Sequence, residues 1–167
     1  MLQAERKFLI TMRKNKIISI ISWVAVILWM LLIFSLSSQV AEQSSKLSTG
    51  VTEIIMTFLQ KIVPITNLDM ESLSHIVRKN AHFIAYLVLG ILVMNALRKS
   101  GKSGLPAFIF AMGICVLYAI SDEVHQLYVP GRSGQALDVI IDSSGALAGT
   151  AFYLLIGRKL SKVIEPR

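Results

Sequence analysis

The chain has 167 residues, enough for one domain; it is 54% hydrophobic and only 16% charged, with a mean hydropathy of +0.64. A soluble domain carries about 25% charged residues, so this balance excludes an ordinary soluble globule and indicates an integral membrane protein, in which the net charge of +7 reads as topology rather than as a nucleic-acid footprint. The single cysteine, Cys115, excludes an internal disulfide and a multi-cysteine zinc site.

Residues 1–16 form a basic leader carrying Arg6, Lys7, Arg13, Lys14 and Lys16. A bilayer core of about 30 Å needs roughly 17–25 mostly apolar helical residues, and the window Ile17–Leu36 meets that length. It lacks a small-x-small cleavage pattern at its boundary, so it reads as an uncleaved span. Trp23 and Trp29 within it read as packing residues or interface anchors. The span closes on "FSLSSQ".

The connection from Ser37 to Asn80 is patterned. Leu47, Val51, Ile54, Ile55, Phe58, Leu59 and Ile62 recur near helical spacing. They predict an amphipathic helix that lies on the membrane surface or caps the bundle. Pro64 and "TNLD" break it, and Ser72 or Ser74 is placed to cap a helix running through Arg78 into the second span, about 81–97.

The third span starts near Leu105 and reaches Ile120 or Tyr128. Cys115 lies inside it as a small hydrophobe. "VPGRSG" makes a turn, and the fourth span runs from about Gln135 to Ile156. A basic tail, 158–167, follows. The expected architecture is all-α: an integral membrane four-helix bundle over 17–157, with an amphipathic helix in its long outer connection.

Twelve of the seventeen Lys and Arg residues fall in the leader, the connection between spans two and three, and the tail, whereas eight of the ten acids fall in the other two connections and their flanks. The positive-inside rule then predicts both termini in the cytoplasm and a multi-pass protein of the plasma membrane. That orientation gathers polar groups at the outer level. Arg78, His82, Tyr86 and Gly90 share one helix face; Asp122 and Gln126 share another; Asp138, Asp142, Gly145 and Gly149 share a third. Glycines on the deeper part of such rows permit close helix approach. The rows predict a water-accessible cavity that opens outward.

Asp142 lies about 10 Å into the fourth span at 1.5 Å per residue. A lipid-exposed acid at mid-helix costs roughly 2.5–3.5 kcal/mol, so it must face protein or water and have a partner. Arg78, Arg132, Lys79 and protonated His82 are the candidates. Arg132, beside a helix N-terminus, suits phosphate or carboxylate.

"RKNAHFIAYLVLG" and "SDEVHQLYVPGRSGQALDVIIDSSG", with the earlier "FSLSSQ", resemble the VanZ-like membrane protein family over about residues 15–157. The resemblance carries over Lys79, His82, Phe83, Tyr86, Asp122, Glu123, Gln126, Pro130, Arg132, Asp138, Asp142 and Gly145 without assigning their roles. It implies a cell-envelope protein and, through the family's namesake, a link to susceptibility to teicoplanin-type glycopeptides.

Three readings follow for the polar set. In an envelope enzyme acting on an anionic lipid-linked or cell-wall substrate, the catalytic candidates are His82, Asp122, Glu123, Asp138 and Asp142, and the substrate-binding candidates are Arg78, Lys79, Tyr86, Gln126 and Arg132. In a non-catalytic binder, the same groups retain a membrane lipid, a lipid-linked cell-wall precursor or a glycopeptide. A small transporter or flippase is the third reading, opposed by inner half-spans nearly free of charge. The sequence names no cofactor, and no tight ligand motif assigns a metal; a metal would draw on His82, Asp122 and Asp138 or Asp142.

Overall fold

The structure is a computed structural model that describes residues 2–60 and 70–164. Its described residues form five helices and no strand: α1 (Leu2–Ser37), α2 (Ala41–Gln60), α3 (Met70–Lys99), α4 (Gly104–Gln126) and α5 (Ala136–Ile164). Four stretches are long and apolar enough to cross a membrane: Met12–Ser37, Ser72–Lys99, Gly104–Gln126 and Ala136–Gly157. The polar ends of spans two and three belong to the same continuous helices as their apolar centres. α3 already begins at Met70, so Ser72 and Ser74 lie inside it instead of capping it.

α3 is the hub. It packs most extensively on α5 and also touches α1, α2 and α4. Tyr86, Leu89, Val93, Met94 and Ala96 are fully buried along it. The other helices bury narrow stripes. α4 buries Ala107, Ala111, Cys115 and Ala119 at steps of four, and α5 buries Gly145, Ala146, Gly149 and Thr150. Small residues at these positions bring helix backbones close, which is how helices associate when lipid removes the hydrophobic drive between them. Large apolar side chains stand outward instead, including Ile20, Ile27, Leu28 and Leu31 on α1. Trp23 and Trp29 pack against the core, and Trp29 Nε1 donates to the Ala85 carbonyl at 2.9 Å.

α2 is amphipathic, as expected, but its apolar face is not packed into the core: Leu47 and Val51 edge an open groove beside α1 and α3. Leu47, Val51, Ile54 and Ile55 are exposed, while Ser48, Thr52 and Met56 form the buried line against α3. The reason is that Ser48 and Thr52 satisfy their hydroxyls on their own helix, on the Ser44 and Ser48 carbonyls. Small, self-satisfied side chains can therefore pack while the larger apolar ones stay exposed. Ile62, Pro64 and the break at Thr66–Asp69 lie outside the described residues, as do the side chains of Phe58, Leu59 and the basic tail.

The helix directions put the C-termini of α1 and α4 and the N-termini of α3 and α5 at one end, the polar end. Arg98, Lys99 and Lys102 sit at the opposite end, where Ser19 of α1 hydrogen-bonds Ser100 at 2.8 Å. At the polar end Gly131 adopts φ +74° in the turn between α4 and α5. The Pro130 carbonyl accepts from the Ala41 N–H at 3.3 Å, tying α2 to this turn. A Cβ at Gly131 would press on the Ala41 Cβ at 3.0 Å, and a left-handed conformation costs an L-residue roughly 1–2 kcal/mol. Gly131→Ala is therefore expected to destabilise the protein by about 1–2 kcal/mol, read as a lower thermal midpoint in detergent.

Candidate functional site

The polar end gathers all ten candidate side chains. α3 supplies Arg78, Lys79 and His82 from its first half and Tyr86 from its middle. α4 supplies Asp122, Glu123 and Gln126 from its last turns. α5 supplies Asp138 and Asp142 from its first turns, and Arg132 comes from the turn between α4 and α5. The spacing rows hold in three dimensions. Deeper in the bundle, added Cβ atoms at Gly145 and Gly149 would strike the backbone of Phe83 and Leu87, and one at Gly90 would strike Ala146. That intimate α3–α5 contact holds His82 against Asp142.

One hydrogen-bond network spans the site. Arg132 donates through Nε (3.1 Å) and Nη2 (2.6 Å) to the Gln126 side-chain oxygen, and through Nη1 to Ser44 Oγ of α2 at 2.9 Å. Gln126 Nε2 donates in turn to Asp122 Oδ2 at 3.3 Å and to Glu123 Oε1 at 3.0 Å. Ser37, the last residue of α1, donates to Asp122 Oδ2 at 2.8 Å. Glu123 Oε2 accepts the Gln135 N–H at 2.8 Å, just before α5 begins; a carboxylate there also suits the positive end of the helix dipole. Both Glu123 oxygens are thus engaged, Oε1 within α4 and Oε2 in holding α4 to the start of α5.

Of the four partners expected for Asp142, the structure selects His82. Its Nδ1 stands 3.5 Å from Asp142 Oδ1, without the alignment of a hydrogen bond. Lys79 pairs with Asp138 at 3.8 Å, both partly exposed at the rim. Arg132 reaches the acids only through Gln126, and Arg78 Nε lies 3.5 Å from Ser48 Oγ. Both guanidiniums therefore bond neutral acceptors, and among the described residues no carboxylate lies within ion-pair distance of either. Burial pulls the Arg132 guanidinium below its ordinary pKa, and Arg78 beside it acts in the same direction. An arginine stays charged in a protein regardless, so two cations stand here without an ion-pair partner among the described residues, while Glu123, Asp122 and Asp138 act on Arg132 in the opposite direction from farther away.

Two chambers meet at these residues. A polar pocket of about 360 Å³ is lined by Arg78, Lys79, His82, Gln126, Arg132 and Asp138, with the exposed His75 at its edge. An apolar groove of about 230 Å³ runs between α1, α2 and α3 past Ile33, Leu36, Leu47, Val51, Val77 and Ala85. Arg78, His82 and Arg132 line both. Tyr86 is fully buried beneath, its ring 6.1 Å from that of Tyr118.

Ser44 and Ser48 are the site residues that the sequence reading passed over. They lie on α2, whose apolar residues drew the reading to its other face. The signal was the Ser44–Ser48–Thr52 row at steps of four, small and polar where α2 meets α3. Ser35, by contrast, is exposed, and only Ser37 of that closing stretch enters the acid network.

The family model VanZ/LLP1 matches residues 22–157. No curated protein and no solved structure matches the chain. The matched stretch begins inside α1, ends with the fourth span at Gly157, and includes every side chain of the network and of both chambers. The chain belongs to the VanZ/LLP1 family and is a multi-pass, all-helical membrane protein.

Proposed function

We propose that this protein acts in the cell envelope, with its polar end on the outer face of the plasma membrane, and that the site holds an anionic lipid-linked substrate such as a cell-wall precursor carried on a lipid phosphate. The observation that carries this reading is the shared wall of the two chambers. A phosphate set against Arg78 and Arg132 would leave its hydrocarbon chain in the apolar groove. A soluble anion has no use for that groove, and an uncharged lipid has none for the guanidiniums. The orientation follows from charge: the basic connection at Arg98, Lys99 and Lys102 lies opposite the acids, and positive loops face the cytoplasm.

An effect on teicoplanin-type glycopeptide susceptibility, which the family's namesake suggests, would arise here from altering how much of such a precursor is presented at the outer surface. Passage through the bundle is less favoured, because fully buried apolar side chains (Leu89, Val93, Met94, Ala111 and Cys115) fill the interior towards the basic end. His82 beside Asp142 is the acid–base candidate if the bound phosphate is hydrolysed.

The test is binding of a polyprenyl phosphate to protein in nanodiscs, with inorganic phosphate and a zwitterionic phospholipid as competitors. The polyprenyl phosphate should bind at least tenfold tighter than either, and Val51→Trp, which fills the groove, should weaken it by about tenfold, or roughly 1.4 kcal/mol. Equal competition by inorganic phosphate would remove the role given to the groove; equal competition by the zwitterionic lipid would remove the role given to the cations. His82→Gln then separates the two mechanisms. Phosphate release lost with binding retained marks a hydrolase, and parallel loss of affinity and phenotype marks a binder.

A further inference from the structure

Beside His82, which lines both chambers, lie buried oxygen atoms with no hydrogen-bond partner among the described residues. Asp142 is 0% exposed, and neither of its carboxylate oxygens has a hydrogen-bond partner among the described residues. Asp122 is 2% exposed; its Oδ2 is held by Ser37 and Gln126, but its Oδ1 has no partner. The Tyr86 hydroxyl, equally buried, has none either. Buried polar groups in proteins are bonded in roughly nine cases out of ten. Three carboxylate oxygens and a hydroxyl around His82 thus lack a hydrogen bond, Asp142 Oδ1 having only its 3.5 Å contact with the imidazole, and they need a common explanation.

We infer that His82, Asp122 and Asp142 form a binding site for a divalent transition-metal cation, with Zn²⁺ or Mn²⁺ the class that fits. One ligand atom from each residue lies within 4.8 Å of the other two. Metal–ligand bonds of about 2.0–2.2 Å place neighbouring donors about 3 Å apart and opposite donors about 4 Å apart. The cluster is wider than a filled site, so ligation would draw the three side chains together. An imidazole nitrogen with two carboxylates is a donor set that favours Zn²⁺ or Mn²⁺ over Ca²⁺ and Mg²⁺, which prefer all-oxygen shells.

Charge points the same way. Two ionised carboxylates beside a neutral imidazole would place two negative charges within the membrane span, a costly arrangement. A divalent cation neutralises both. The surroundings also have the form of a supporting shell: Ser37 and Gln126 fix Asp122 through Oδ2 and leave Oδ1 free to ligate. Asp138, the alternative acid in the sequence reading, also has an Oδ1 without a hydrogen bond, but it faces Lys79 at 3.8 Å at the rim and is not part of the cluster. Three protein ligands leave at least one open position, and His82 borders both chambers, so that position adjoins the space given above to the phosphate. The metal site does not rest on the lipid reading.

The experiment uses the full chain purified in detergent, stripped with a chelator and reloaded with Zn²⁺, Mn²⁺ or Mg²⁺ without any lipid phosphate. Bound metal is counted after gel filtration, and the thermal midpoint is recorded with and without metal. Close to one equivalent of Zn²⁺ or Mn²⁺ should remain bound and raise the midpoint, with Mg²⁺ far weaker. Asp142→Asn and His82→Gln should each weaken binding by at least a hundredfold, while Asp138→Asn should bind as the wild type does. Asp142→Asn removes a buried charge at constant shape, so its midpoint should match or exceed that of the metal-free wild type; this separates loss of the site from loss of the fold. A folded wild type that retains none of these metals, or metal binding untouched by both ligand substitutions, overturns the assignment. Since no lipid is present, the lipid reading can fail while the metal site stands, and the reverse.

Discussion

Gly149→Leu is expected to prevent the bundle from assembling. Gly149 faces the Leu87 backbone so closely that even a methyl group would collide with the carbonyl, and Gly145 faces Phe83 in the same way. The obstruction is main chain, so no rotamer change relieves it and α3 and α5 must separate. Ordinary overpacking costs about 1–3 kcal/mol, and a leucine against backbone lies at or beyond the top of that range. The separation would also pull His82 from Asp142, since both helices hold their side chains by this contact. Monodispersity and thermal unfolding in detergent provide the measurement. Gly113→Leu is the control: Gly113 is exposed, with nothing within 4 Å of an added Cβ, and its replacement should leave the midpoint within about 0.5 kcal/mol of wild type. A Gly149→Leu chain as stable as that control would mean that α3 and α5 do not meet along this face.

Arg132→Ala is expected to weaken polyprenyl phosphate binding by about a hundredfold, or roughly 2.7 kcal/mol. Two losses combine. A charge-assisted hydrogen bond to an anion contributes about 1.5–3 kcal/mol. The truncation also frees the Gln126 carbonyl oxygen, which accepts two guanidinium N–H groups, and breaks the link to Ser44 of α2. Arg132→Lys should recover only part of the affinity, because an ammonium keeps the charge but cannot span Gln126 and Ser44 together in a planar fork. Gln126→Ala should weaken binding less than Arg132→Ala does, since it leaves the guanidinium in place. Binding isotherms for the three chains in nanodiscs, at matched ionic strength, give that order; equal affinities for Arg132→Ala and wild type would exclude the guanidinium from the anion site.

The four spans were legible because lipid imposes a length and a composition on any crossing helix; Ile17–Leu36 and the fourth window satisfy both, and the shorter second and third do so once their polar ends are counted into the same helices. The rows Arg78–His82–Tyr86, Asp122–Gln126 and Asp138–Asp142 were legible because helical periodicity fixes which residues share a face. What such reasoning could not give was the partner of each row. Lys79 and Arg132 were as good candidates as His82 for Asp142, and only the α3–α5 contact put the imidazole there. The apolar pattern of α2 was legible as well, but its direction was not. In water an apolar face packs into the core; here Ile54 and Ile55 stand outward, Leu47 and Val51 edge an open groove, and Ser44 and Ser48 enter the site.

The sequence by itself determined that this is a four-span helical membrane protein of the VanZ type whose ionisable side chains gather at one end, because helix period, bilayer thickness and charge placement act along the chain. The tertiary structure alone decided that Asp142 meets His82, that Glu123 holds α5 to α4, and that an apolar groove joins the polar pocket at Arg78 and Arg132. Those pairings depend on how closely one backbone approaches another, which is set where glycines of two helices meet and is written in neither helix alone.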